Sequence, residues 1–223
     1  MGYLITNILE PFSYLIMTIA LLYYLKYKSA SKIWVLFAYC FFSTILMSTA
    51  CIEAFLQKQN IDKYDKHLLT TAFCIGVYYY SILISKKTKF FVIIFITSAI
   101  IYFVTTNFVI KREVIFDSIG YSILSLSIVF MTIIYFNHLL NNVSEKSISI
   151  NIDFWINTAF LIYYLGSFII FFTYYFLTKK LLIKYTSEGE KSLTNLWGYH
   201  NMLLFSCAVC ILIGVIWQTS RTK

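Results

Sequence analysis

The stretch 154-FWINTAFLIYYLGSFIIFFTYYFLT-178 contains no Asp, Glu, Lys or Arg. A helix needs about 20 apolar residues to cross the hydrocarbon of a bilayer, and this run is long enough. Lys179 and Lys180 follow at once, as basic residues do where a span meets lipid headgroups. The pattern recurs, and spans are predicted at 3–25, 33–56, 67–85, 90–110, 114–137, 154–178 and 194–218. Composition agrees. Of 223 residues, 60% are hydrophobic and 13% charged, against about 25% charged in a soluble domain. None of the seven runs alternates as a barrel strand does, and a helix satisfies its backbone within its own segment. The expected fold is all-α: a polytopic membrane protein, a seven-transmembrane-helix bundle, as one domain over 1–223 with no soluble domain.

The net charge of +8 could suggest nucleic acid, but its distribution argues against that partner. Lys26, Lys28 and Lys32, then Lys86, Lys87 and Lys89, then Lys111 and Arg112 sit in short clusters between apolar runs. Such charge faces membrane lipid, whereas a nucleic-acid reader gathers it on one soluble face. The two membrane faces carry equal shares of Lys and Arg. The first span breaks the tie, because no basic residue precedes it and three follow it. The first helix usually dominates orientation, so the N-terminus is expected outside a bacterial inner membrane and the C-terminus in the cytoplasm.

Seven crossings bring the polar residues of the spans to one leaflet. Glu10 lies early in span 1 and Glu53 late in span 2. Thr70 and Thr71 open span 3, and Thr105, Thr106 and Asn107 close span 4. Asp117 opens span 5, and Trp197, His200 and Asn201 begin span 7. Odd spans start on the N-terminal side and even spans end there, so all of these share that leaflet. An ionisable residue near the centre of a span costs about 2.5–3.5 kcal/mol unless paired or hydrated. Glu10, Glu53, Asp117, Trp197, His200 and Asn201 are therefore the candidate ligand-binding or proton-sensing residues. His200 is expected to meet Glu10 directly, with Trp197 as a roof. Pro11 removes a backbone donor beside them. On the other side, Asn137, His138, Asp153, Asn157 and Gln218 are expected as interfacial caps.

Span 7 also carries Gly198, Ser206, Cys210 and Gly214 at spacings of four or a multiple of four. Small residues so spaced let helices approach closely, so this ladder is expected to pack a neighbour, within the chain or in a homo-oligomer.

The chemistry inventory is thin. No span has a central lysine for a retinal Schiff base. The five cysteines all lie in apolar runs, which gives no disulfide framework. Phosphate loops and His-Glu-x-x-His are absent. No cofactor is expected and no metal site is assigned, although two histidines with a carboxylate keep a membrane-embedded metal hydrolase as a third reading.

The segments 154-FWINTAFLIYYLGSFIIFF-172 and 196-LWGYHN-201 resemble small seven-span proteins of Bacteroidota, in which an FW-I opening and a YLG core mark span 6. Some are encoded beside sensor histidine kinases. The resemblance implies a sensory context with a signalling protein partner such as a histidine kinase. The expected function is a sensor or receptor-like membrane protein with a polar pocket in the N-terminal leaflet. A small-solute or proton-coupled transporter is the alternative. The topology has a direct check: a reporter active only outside the cytoplasm, fused after Lys223, should stay silent, and activity would reverse the orientation.

Overall fold

The computed structural model describes residues 2–28, 30–106, 116–141, 151–183 and 187–220. These form seven helices and no strand: α1 (Gly2–Tyr27), α2 (Ser31–Phe55), α3 (Ile61–Ile82), α4 (Lys86–Val104), α5 (Ser118–Asn141), α6 (Ile152–Ile183) and α7 (Ser187–Ser220). The expected ends of spans 4 and 5 at 107–110 and 114–115, and Asn107 with them, lie outside the described residues. Six helices are long and apolar enough to cross a membrane; α3 falls short by composition. Its tyrosines and the charges of its first turns lower its mean hydropathy, yet Tyr78 and Tyr79 are fully buried. The chain is a helical integral membrane protein.

The helices close into a ring in the order α1, α2, α3, α5, α6, α7, with α7 packed back on α1. α4 stands outside the ring against α3 and α5, and Val92 is its one buried residue. Gly76 is the point of docking, since a Cβ there would meet the Ile96 side chain at 2.5 Å. Large apolar side chains such as Phe12, Phe42, Phe130, Ile162 and Phe172 point outward around the bundle. That inside-out distribution suits a hydrocarbon solvent, in which apolar surface costs nothing.

Local stops define the N-terminal end of the bundle. Gln57 adopts φ 55°, the left-handed conformation that ends many helices. The Lys58 N–H then donates to the Glu53 carbonyl at 2.8 Å, and the Gln57 N–H to that of Ala54 at 3.1 Å, closing the last turn of α2. The Asn60 side chain donates to the Ala50 carbonyl at 3.1 Å, which holds the start of α3 against α2. Asp117 caps α5, accepting from the Gly120 N–H at 2.8 Å. Its carboxylate also receives the Tyr102 hydroxyl of α4 at 2.7 Å.

The α6–α7 seam is antiparallel and set by two glycines. A Cβ on Gly166 of α6 would collide with Leu203 of α7, and one on Gly214 of α7 would collide with Trp155 of α6. Each helix thus offers a notch to a large side chain of the other. Cys210 completes the second notch, its Sγ directed at the Trp155 carbonyl at 4.0 Å. The expected ladder on α7 holds at this end and fails in the middle. Gly198 is buried, but Ser206 is exposed on the outside of the bundle and turns its hydroxyl back to the Met202 carbonyl at 3.0 Å. With 3.6 residues per turn, each four-residue step rotates the face by about 40°, so four steps cannot all meet one neighbour.

Gly214→Leu should lower the melting temperature in detergent, consistent with an overpacking cost of about 1–3 kcal/mol. Ser206→Leu, on the lipid side of the same helix, should leave it unchanged.

Candidate functional site

A cavity of about 320 Å³ opens at the N-terminal end of the bundle. Glu10 and Asn7 of α1, Cys51 and Ala54 of α2, Tyr64 of α3, Tyr174 of α6 and Trp197 of α7 stand on its wall with Phe116 and Asn60. Glu10 is 4% exposed. Its Oε2 accepts the Tyr64 hydroxyl at 3.4 Å. Pro11, next in the chain, has no N–H to give to the Asn7 carbonyl one turn earlier, and Asn7 is itself a lining residue.

Two of the candidate residues, Glu10 and Trp197, line this cavity together. The others are placed differently. Glu53 lies off the wall and pairs with Lys63, Oε1 to Nζ 3.0 Å. Asp117 is buried but serves as the cap of α5 and the anchor of Tyr102. His200 and Asn201 are buried, at 3% and 0% exposure, one turn deeper along α7 than Trp197.

The expected His200–Glu10 pair is not formed. His200 hydrogen-bonds α6 on both ring nitrogens: Nε2 lies 3.3 Å from the Tyr163 hydroxyl and Nδ1 3.2 Å from Ser167 Oγ. Phe171 and Trp197 pack against its ring, with centroids at 4.6 and 5.6 Å. Matching depth placed the two residues in one leaflet, but the angular position of His200 turns it toward α6, and Glu10 takes its partner from α3.

Beneath the cavity lies a floor of hydroxyls and imidazoles. The Tyr121 hydroxyl donates to the Tyr64 carbonyl at 2.7 Å. With its one proton so used, it accepts from His67 Nδ1 at 3.1 Å. That assigns the proton to Nδ1 and leaves Nε2 as the bare lone pair; no hydrogen-bond partner reaches Nε2. The His67 ring is flanked by Tyr14 and Tyr39, with centroids at 5.3 and 6.1 Å. Tyr39 stands between Tyr14 and Tyr164, its hydroxyl 3.4 and 3.5 Å from theirs. These tyrosines are buried, and each hydroxyl is met by another polar group of the protein.

A second polar cluster occupies the opposite end, where interfacial caps were expected. Asp153 is 4% exposed and pairs with Lys32 of α2. Its other oxygen accepts the Tyr78 hydroxyl of α3 at 3.2 Å. Asn157, fully buried, donates to the Tyr78 hydroxyl at 3.1 Å and to the Asp153 carbonyl at 2.7 Å. Its Oδ1 receives the Tyr79 hydroxyl at 3.0 Å, and Tyr79 also meets Thr132 of α5 at 2.6 Å. The cluster ties α2, α3, α5 and α6 together. The readable signal was the placement of Tyr14, Tyr39, Tyr121, Tyr163 and Tyr164 in mid-span, away from the interfaces that tyrosine favours. A tyrosine there brings a hydroxyl that has to be partnered.

Among the described residues no group of three or more His, Cys, Asp or Glu is placed to hold a metal ion. Comparison with protein-family models, curated proteins and solved structures found no match.

Lys32→Met leaves Asp153 buried without its cation. It should cost about 3 kcal/mol of stability, read as a loss of folded protein on heating in detergent. The double variant K32M/D153N removes both charges and should recover most of that loss.

Proposed function

We propose that this protein is a receptor-like sensor that takes a small solute into the Glu10 cavity and passes on its occupancy to a separate protein partner. The observation that carries the reading is Glu10 itself, a buried carboxyl on the wall of a cavity of about 320 Å³. An ionisable group placed inside a span is a functional-site hypothesis by default, and this one lines a cavity while it accepts the Tyr64 hydroxyl of α3. Every lining residue comes from the N-terminal end of the bundle, and the Tyr14–Tyr39–His67 floor lies beneath it. A site whose lining stays within one end of the bundle suits binding better than passage.

The full topology is seven crossings, with α3 as the seventh span. In support, Tyr64 near the start of α3 meets Glu10 at one end of the bundle, and Tyr78 near its finish meets Asp153 at the other. With the N-terminus outside the inner membrane, the cavity mouth faces outward, where a sensor needs it. The resemblance of 154–172 and 196–201 to small Bacteroidota membrane proteins favours a histidine kinase as the class of partner. A small-solute or proton-coupled transporter is the second reading. It is favoured by the polar cluster at the opposite end and by the tyrosine hydroxyls between the two ends.

Cys51 offers the test, because it lines the cavity and is half-buried; Cys40 and Cys207 are buried, and Cys74 and Cys210, also half-buried, are not among the cavity's described lining residues. A membrane-impermeant thiosulfonate added outside intact cells should modify Cys51, and Cys51→Ala should abolish that labelling. Modification only after the cytoplasmic side is opened would invert the orientation. No modification from either side would remove the open cavity and the sensor reading with it. Accumulation of a protecting solute inside proteoliposomes would select the transporter.

A further inference from the structure

The wall of the cavity has a chemistry that narrows its ligand. Tyr64, Phe116, Tyr174 and Trp197 line it, and all four rings are half-buried. Three of them stand nearly at right angles to one another. Tyr64 and Phe116 are 5.8 Å apart at 86°, Tyr64 and Trp197 5.3 Å at 84°, and Phe116 and Trp197 5.2 Å at 89°. Tyr174 extends the group, 5.5 Å from Phe116 at 72°. Planes so arranged form the corner of a box. An aromatic face carries negative potential, and a cation held within about 6 Å of several such faces is attracted by each.

The charge of the wall points the same way. Among the described lining residues Glu10 is the one carboxyl, and there is no lysine or arginine. The nearby cations are engaged elsewhere: Lys63 with Glu53 and Asp62, and Lys66 with Asp62. A buried carboxylate needs a balancing positive charge or a proton, and the described lining residues supply no cation. Asn7, Asn60 and Thr194 add polar groups at the rim, suited to a hydroxyl or a second polar end. At about 320 Å³ the space is at the small end of ligand pockets, which run from about 300 to 1,000 Å³.

We infer that the cavity is a site for a small alkylammonium cation, its charged head in the Tyr64–Phe116–Trp197 corner opposite the Glu10 carboxylate. The inference rests on the sensor reading for the cavity being open, and adds to it the class of ligand. An anion would meet Glu10 and four negative ring faces. A neutral solute would leave the carboxyl to be balanced by a proton alone.

Choline is the probe, titrated calorimetrically into the full chain in maltoside micelles, which carry no ammonium group. Its controls are dimethylbutanol, the neutral carbon isostere, and dimethylbutyrate, the anion of like shape. Choline should bind on the order of tenfold or more tighter than either control. Glu10→Gln should erase that preference. Trp197→Ala should weaken choline on the order of tenfold, and Trp197→Phe, which keeps an aromatic face and the fold, should retain most of the affinity. Equal binding of choline and dimethylbutanol, an unchanged choline affinity in E10Q, or no choline binding would each overturn the inference. Cys51 labelling separates that failure from failure of the cavity. If Cys51 is modified and dimethylbutanol protects it, the open site stands and the cation assignment falls; if Cys51 is never modified, both fall. Glycerophosphocholine distinguishes the source of the cation. Tighter binding than choline marks a lipid headgroup, weaker binding marks a free solute, and either supports the ammonium site.

Discussion

A hydroxyl, imidazole or carboxyl placed in hydrocarbon has no water to bond, so its partner has to come from the protein. That requirement organises this bundle more than apolar packing does, because apolar side chains gain little by leaving lipid for protein. The buried polar groups on α1, α2, α3, α5, α6 and α7 face one another, and the outward faces carry isoleucine, leucine and phenylalanine. Tyr78 and Tyr79 reach from α3 to α5 and α6, and His67 reaches to α5. α3 has the lowest hydropathy of the helices by this measure and lies at the centre of these bonds. Its tyrosines depress its score because they are polar, and they are tolerated because they are bonded.

The glycine notches solve a different problem. Tyrosine and tryptophan are wide, and a bundle built of them would hold its helices apart. At Gly166 and Gly214 the α6 and α7 backbones come close enough for Leu203 and Trp155 to seat against bare helix. That closeness brings His200 within reach of Tyr163 and Ser167. Packing at the seam and hydrogen bonding within it are parts of one arrangement, and the seam holds Trp197 in the cavity wall.

Much of this was legible in the sequence. The helices follow from the lengths of the apolar runs, and Glu10 stands out because a carboxylate in such a run is costly. Trp197 was found for its position one turn above a polar pair. Crossing parity gives the leaflet of a residue, and here it brought Glu10 and Trp197 to the same cavity. Parity says nothing of the direction a side chain takes around its helix. That is why the His200–Glu10 pair was expected and is absent, and why Asp117 was a candidate although it caps α5. Asp153 was misread for a related reason. A carboxylate at a helix start is normally a solvated cap, and its burial depends on Lys32, far away in the chain. The floor of tyrosines was visible as residues but not as contacts, because a hydroxyl's partner is a property of the assembled ring.

α4 carries a consequence of its own. It packs along α3 at Gly76, touches α5 lightly, and buries a single side chain. Its one described polar tie to the ring is the Tyr102 hydroxyl on the Asp117 carboxylate, and the other described interhelical polar bonds run among the other six helices. Apart from Tyr102, its residues answer to the bilayer and to one shallow notch. Exchange among isoleucine, phenylalanine, valine and leucine along most of α4 would change which atoms meet lipid while leaving the interior untouched. Over evolutionary time this helix should drift in sequence faster than its neighbours, held to a length, an oiliness and the tyrosine that meets Asp117.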